Sequence, residues 1–333
     1  MAHRWDPIAP PVPALVWPVA IDPAGVTGPT RGQSQGPKWR RTSPGSFVAA
    51  SVSDDLVEQR ILEAIDRAGE RAVVTGWASI RLQRGGFFDG LGRDGRTRLP
   101  VPIAANGERL AAHPGLHRVR DHVPEDEVVV VHGIRCATIE RALFDEIRRL
   151  DNDRDRIVAV DMTCAAQLTS LRRMRRYRWS RYWYRDVRTL DRILPFCDEG
   201  SRSRPEVDLR LIWELDAGWS HPLCNRAVHD LDGALIGVPD LLDPRRGVTG
   251  EFAGADHRGI EQHADDVERA EAFHRVGLEV VEVVGRQLRD RRRIVSRLHA
   301  AEERAHGRTP RWRLGPAGPS LDEILDRRDR RAG

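Results

Sequence analysis

The sequence predicts an α/β protein of the mixed α+β type, folded as two successive domains. Three observations predict it. The chain has 333 residues, 40% of them hydrophobic and 31% charged, which suffices for two apolar cores. Short β-branched runs such as Val128 to Val131 and Leu278 to Val284 alternate with helical apolar stripes such as Leu56, Ile61, Leu62 and Ile65. Glycine- and proline-bearing turns punctuate the runs, as in Asp243-Pro244-Arg245-Arg246-Gly247.

In chain order, residues 1–37 carry Pro7, Pro10, Pro11, Pro13, Pro18 and Pro23, then Gly25, Gly28, Gly32 and Gly36. They read as an irregular arm with a short strand from Leu15 to Ile21. Lys38 to Val48 reads as a basic strand-turn-strand. Val52 to Ala68 is a helix that Ser53 caps and whose first turn holds Asp54 and Asp55. Thr75 caps a second helix carrying Trp77 and Ile80. Strands follow from Leu99, at Leu116 to Arg120 and at Val128 to Val131, and then a helix from Ile139 to Leu150. On that helix Asp145 is expected to pair with Arg141 rather than to act in chemistry. Ile157 to Cys164 is a buried run and Ala165 to Arg176 a helix. Residues 189–202, with Pro195 and Asp198-Glu199-Gly200-Ser201, mark the domain boundary. Beyond it, Trp213, Trp219, Leu223 and Val228 read as core. An arginine-rich helix runs from Gln287 to about His306. Residues 308–333 read as a polar tail with a short helix from Leu321 to Arg330.

The chemistry-bearing stretch lies between Ser203 and Gly285. Gly237-Val238-Pro239-Asp240 ends one strand-like run, and Gly250-Glu251-Phe252-Ala253 belongs to the next. A hairpin between them sets Asp240 and Glu251 side by side on one face. Adjacent carboxylates repel, and hard oxygen ligands suit magnesium or manganese. Glu206, in the first turn of a helix opened by Ser203-Arg204-Pro205, supplies a third carboxylate. The alternative for Glu251 is a plain pairing with an arginine.

These residues resemble a known family. A helix-borne glutamate, then Pro-Asp, then a strand glutamate is the order of the PD-(D/E)xK nuclease core. The runs Gly237 to Pro244, Gly250 to Arg258 and Asp266 to Arg269 resemble actinobacterial proteins whose domain is similar to the very-short-patch-repair (Vsr) endonuclease. The resemblance covers about residues 198–300. It implies a restriction-endonuclease-like domain with a central mixed sheet flanked by helices. It also implies a metal at Asp240, Glu251 and Glu206. The motif wants a lysine two residues after the glutamate, and that position is Ala253; Lys38 is the only lysine in the chain. His257 is then the expected catalytic partner, as a base or as the holder of a metal-bound water. Thr75 to Ala78, Gly133 to Arg135 and Arg141 to Asp145 resemble the body of AbiEi-like antitoxins over residues 38–195, which implies a nucleic-acid or toxin partner.

Arg172 to Arg188 is the most basic segment. Arg172, Arg173, Arg175, Arg176, Arg178 and Arg181 interleave with Tyr182 and Trp183, among other rings. Arginine contacts phosphate and aromatic rings stack on bases, so DNA is the expected partner. The competing reading is a solvated helix and connector whose rings pack between the domains. The net charge of +4 permits nucleic-acid binding without arguing for it.

The composition narrows the remaining classes. Cys136, Cys164, Cys197 and Cys224 form no Cys-x-x-Cys pair, so they read as reduced core residues of a cytoplasmic protein. No apolar run reaches the roughly 18 residues of a membrane helix. The start of the chain has no signal-peptide layout. No nucleotide-binding loop or nucleophilic triad is visible. The sequence thus expects a metal-dependent DNA endonuclease, with a non-catalytic DNA-binding regulator or a toxin-binding protein as the alternatives.

Overall fold

The computed structural model describes residues 6–253 and 260–332. Two compact units divide the chain: Ile8–Leu150, and Asp151–Gly333 together with Met1–Pro7. The expected α+β class is what the structure has.

In the first unit, β1 (Val19–Ala20), β2 (Trp39–Ser43) and β3 (Ser46–Ala49) form an antiparallel sheet in the order β1-β3-β2. Gly45 turns β2 into β3 at φ +88°, a region open to glycine without strain. Helix α1 spans Val57–Asp66, shorter than expected. Ser53 does not cap it; its hydroxyl accepts the N–H of Asp55 at 3.1 Å in a local turn. Then come β4 (Val73–Val74), α2 (Gly76–Leu82), β5 (Val101–Ala104), β6 (Leu116–Val119), β7 (Val128–Val131), β8 (Ile134–Ala137) and α3 (Ile139–Arg149). The five strands make a mixed sheet in the order β6-β5-β4-β8-β7.

Thr75 precedes α2 without capping it: its hydroxyl donates to Asp145 Oδ2 at 2.6 Å. Arg141, fully buried, donates to the same Asp145 oxygen at 3.0 Å and to Glu127 at 2.8 Å. The expected Arg141–Asp145 pair is therefore present. It is sealed inside the unit, which suits a structural part.

The second unit starts with α4 (Asp153–Ala165), α5 (Leu171–Ser180), α6 (Thr189–Ile193) and α7 (Arg204–Leu211). Side chains cap three of them: Asn152 on α4, Ser170 on α5 and Ser203 on α7. Residues 189–202 lie inside this unit, where Leu190, Ile193, Leu194 and Cys197 are buried. Helix α7 runs into a π turn at Ile212–Asp216, closed by the Ala217 N–H on the Ile212 carbonyl at 2.9 Å.

Strands β9 (Leu223–Cys224), β10 (Val228–Asp230), β11 (Leu235–Gly237), β12 (Leu241–Asp243) and β13 (Val248–Ala253) follow. After them come α8 (Ile260–Arg275), β14 (Glu279–Val284), α9 (Arg291–Ala305), β15 (Trp312–Leu314) and α10 (Leu321–Ala332). The main sheet has the order β14-β13-β12-β9, with β13 and β14 parallel and the other pairs antiparallel. Strand alternation sorts its side chains. Leu241, Val248, Val281 and Val283 pack with Trp213, Ile294 and Leu298 from the π turn and α9. Leu242 packs on the other face with Phe273 of α8 and with Leu278.

Residues 308–333 are built into this unit. Strand β15 pairs with β10, Val228 opposite Leu314. In α10, Leu321 and Leu325 are buried, and Asp322 accepts from the Ser170 hydroxyl at 2.7 Å and from Arg172 at 2.8 Å. Among the described residues no helix is long and apolar enough to cross a membrane.

Candidate metal centre

The hairpin β12–β13 forms as its turn residues require. Asp243 Oδ1 accepts the N–H groups of Arg245 and Arg246 at 2.8 and 3.1 Å, and Gly247 takes φ +65°. Leu241 stands opposite Gly250 and Leu242 opposite Thr249. One step along, the register sets Asp240 beside Glu251. Alternation turns both toward the face that carries α8, the face of Leu242. The Phe252 N–H donates to Asp240 Oδ2 at 2.8 Å, and Arg269 of α8 lies 3.3 Å from Glu251 Oε2.

Glu206 approaches from the first turn of α7. It accepts from the Ser203 hydroxyl at 2.9 Å, the Arg202 N–H at 2.8 Å and the Asn225 amide at 2.9 Å. Burial, and next the negative charge of Glu206, push the Asp240 carboxyl up to about 7. The Phe252 N–H, Arg269 and Arg202 oppose that rise. Asp240 therefore feels Glu206 on one side and has Glu251 across the strand pair on the other.

Of the expected site residues, Asp240 and Glu251 thus lie side by side across the hairpin, and Glu206 of α7 is near enough to Asp240 to raise its carboxyl. Glu251 also meets an arginine, as its alternative reading expected. Ala253 is buried and offers no ligand atom. His257 lies outside the described residues. One neighbour was not anticipated: the parallel register places Glu282 opposite Glu251 on β14.

A second constellation was missed altogether. Among the described residues, Asp198, His221 and Cys224 are the one set of three potential metal ligands whose donor atoms all lie within 4.8 Å of one another. His221 Nε2 lies 3.0 Å from Asp198 Oδ2, and its Nδ1 lies 3.0 Å from Glu214 Oε2. Asp198, then Glu214, push His221 up to about 9. Burial pushes the Cys224 thiol well above its ordinary range. Behind the set, Arg210 is completely buried and donates to Asp161 at 2.5 Å, to Glu214 at 2.7 Å and to the Phe196 carbonyl at 2.5 Å. The π turn places Trp213 in the core and Glu214 beside His221. The sequence signal was the His-x-x-Cys spacing of His221 and Cys224, with Asp198 contributed from a distant loop.

The basic segment is partly committed to internal pairs. Arg172 binds Asp322, Arg173 binds Asp326 and Asp329 at 2.8 Å, and Arg178 grips Asp191 with two bonds. Arg175 and Arg176 are exposed on α5 and Arg181 is half-buried. Trp179, Tyr182 and Trp183 are 72%, 68% and 61% exposed. Arg178 stacks over Trp179 at 4.8 Å, and the rings of Tyr182 and Trp183 meet edge to face at 4.9 Å. Tyr177 of the same segment is buried. No family model, curated protein or solved structure matches this chain.

Proposed function

We propose that residues 198–300 form a Vsr-like, divalent-metal-dependent DNA endonuclease that hydrolyses phosphodiester bonds. The observations that support this reading are the register that sets Asp240 beside Glu251 across the β12–β13 hairpin and the approach of Glu206 to Asp240 from α7. The charge of Glu206 helps raise the Asp240 carboxyl, and a hard divalent cation relieves such repulsion between oxygen donors, so the donor set fits magnesium or manganese.

Asp240 and Glu251 would hold the ion from the strands, with Glu206 completing the set from α7. When bound, the metal lowers the pKa of a water and offsets charge on the phosphate. Asn225 fixes the orientation of Glu206 through the 2.9 Å bond. Arg269 brings a guanidinium to Glu251 and supplies positive charge for a phosphate oxygen, a part that Ala253 cannot play.

Manganese titration by calorimetry, with plasmid nicking run beside it, tests the reading. Binding accompanied by nicking is the expected result. A protein that neither binds manganese nor nicks DNA would remove it.

The second reading is a DNA-binding regulator without cleavage. It draws on Ala253 and on the exposed rings beside Arg175 and Arg176. Both readings expect the rings to touch bases. Trp183→Ala is expected to weaken binding to single-stranded DNA by about 1–3 kcal/mol, the usual worth of one stacked base. Fluorescence anisotropy at fixed salt reads this change, and unchanged affinity would exclude stacking at Trp183.

A further inference from the structure

We propose that Asp198, His221 and Cys224 form a second metal site, distinct from the Asp240 carboxylates, that takes a thiophilic divalent cation of the zinc class. The donors are one oxygen, one imidazole nitrogen and one sulfur, a set that zinc and cobalt accept and that magnesium does not. Their atoms already lie within 4.8 Å of one another. Tetrahedral zinc holds nitrogen and oxygen at about 2.0–2.2 Å and sulfur at about 2.3 Å. That geometry separates neighbouring ligand atoms by roughly 3.3–3.6 Å. The 3.0 Å between His221 Nε2 and Asp198 Oδ2 needs to open by only a few tenths of an ångström.

The outer contacts are those of a built site. His221 turns Nδ1 to Glu214, and the carboxylate behind a ligating imidazole fixes the tautomer that leaves Nε2 free to bind. Glu214 is itself held by Arg210 at 2.7 Å. The Asp198 Oδ1 atom takes the Gly200 N–H at 2.6 Å, which leaves Oδ2 on the His221 side. The His221 side chain is 37% exposed, so the site can be reached from solvent. Zinc binds the neutral imidazole and the thiolate, so the Cys224 thiol releases its proton to solvent as the cation enters.

The site joins two separate pieces of chain: the loop at Asp198, and the segment that runs from His221 into strand β9 at Cys224. The residue after Cys224 is Asn225, whose amide reaches Glu206 at 2.9 Å and the Gly200 carbonyl at 3.0 Å. A cation here stiffens the support of Glu206 without touching Asp240. The proposal stands whether or not the chain cleaves DNA.

The test is cobalt titration of the chelator-treated full chain, followed by displacement with zinc. A thiolate-to-cobalt charge-transfer band is expected, and zinc should remove it. Cys224→Ser should abolish the band, and Asp240→Ala should leave it in place. Glu214→Gln should weaken zinc binding about 10- to 100-fold, the usual loss when the partner behind a ligating histidine is changed. Should Cys224→Ser fail to fold, His221→Gln carries the test and must lose the tight cobalt binding. Absence of the band in the wild-type chain, or its persistence in folded Cys224→Ser, would overturn the proposal.

Discussion

Asp240→Ala abolishes metal-dependent nicking and leaves DNA binding intact or tighter. Two opposite effects produce this outcome. The substitution removes one of the two strand carboxylates proposed to hold the cation, so the proposed site loses a ligand. It also removes negative charge from a surface that must meet phosphates, which favours binding. The fold should tolerate the change. Asp240 is held against burial and against the charge of Glu206. What is lost is one bond from the Phe252 N–H, worth about 1 kcal/mol. Nicking and anisotropy measured on the same preparation separate the two effects. Equal cleavage by wild type and variant would eliminate Asp240 as a ligand.

Asp161→Ala should destabilise the second unit by about 3–5 kcal/mol, the usual cost of leaving one member of a buried ion pair alone. Asp161 and Arg210 are both fully buried and meet at 2.5 Å. The second Asp161 oxygen accepts the Asp198 N–H at 2.9 Å. Alanine therefore strips Arg210 of a counter-charge and Asp198 of a backbone anchor in one step. Asp161→Asn keeps the shape and an acceptor while removing the charge, and is expected to cost less. Urea unfolding followed by circular dichroism distinguishes them. A loss below about 1 kcal/mol in Asp161→Ala would show that Glu214 alone can balance Arg210.

Local signals made much of this structure legible. The β12–β13 hairpin was readable because Asp-Pro-Arg-Arg-Gly can only turn, and a turn fixes register. Helix α3 and strand β14 followed from period alone: residues 139–150 and 278–284 were expected, Ile139–Arg149 and Glu279–Val284 are found. Side-chain destinations were less legible. Thr75 and Ser53 looked like caps, yet one hydroxyl goes to Asp145, 70 positions away, and the other serves a local turn. Arg172 and Arg173 looked available to phosphate, yet they pair with acids some 150 positions on. The set at His221 stayed hidden for the same reason. Two of its ligands are three apart, but Asp198 and the Glu214–Arg210 support arrive through the fold. Periodicity reports which face is buried, not which distant charge will meet it.

The way β15 and α10 complete the second unit sets the pace of its folding. Ser170 meets Asp322 across 152 positions, and Arg173 meets Asp329 across 156. In the first unit, long-range bonds such as Thr75 to Asp145 and Arg84 to Ala9 span 70 and 75 positions. Closing a longer loop costs more chain entropy before any contact repays it, so folding slows as contacts become less local. The first unit can reach its native state early, while Arg172 and Arg173 of α5 wait for their acidic partners on α10. Until α10 docks, that helix presents more positive charge than the finished protein does, and polyanions would compete for it during this interval.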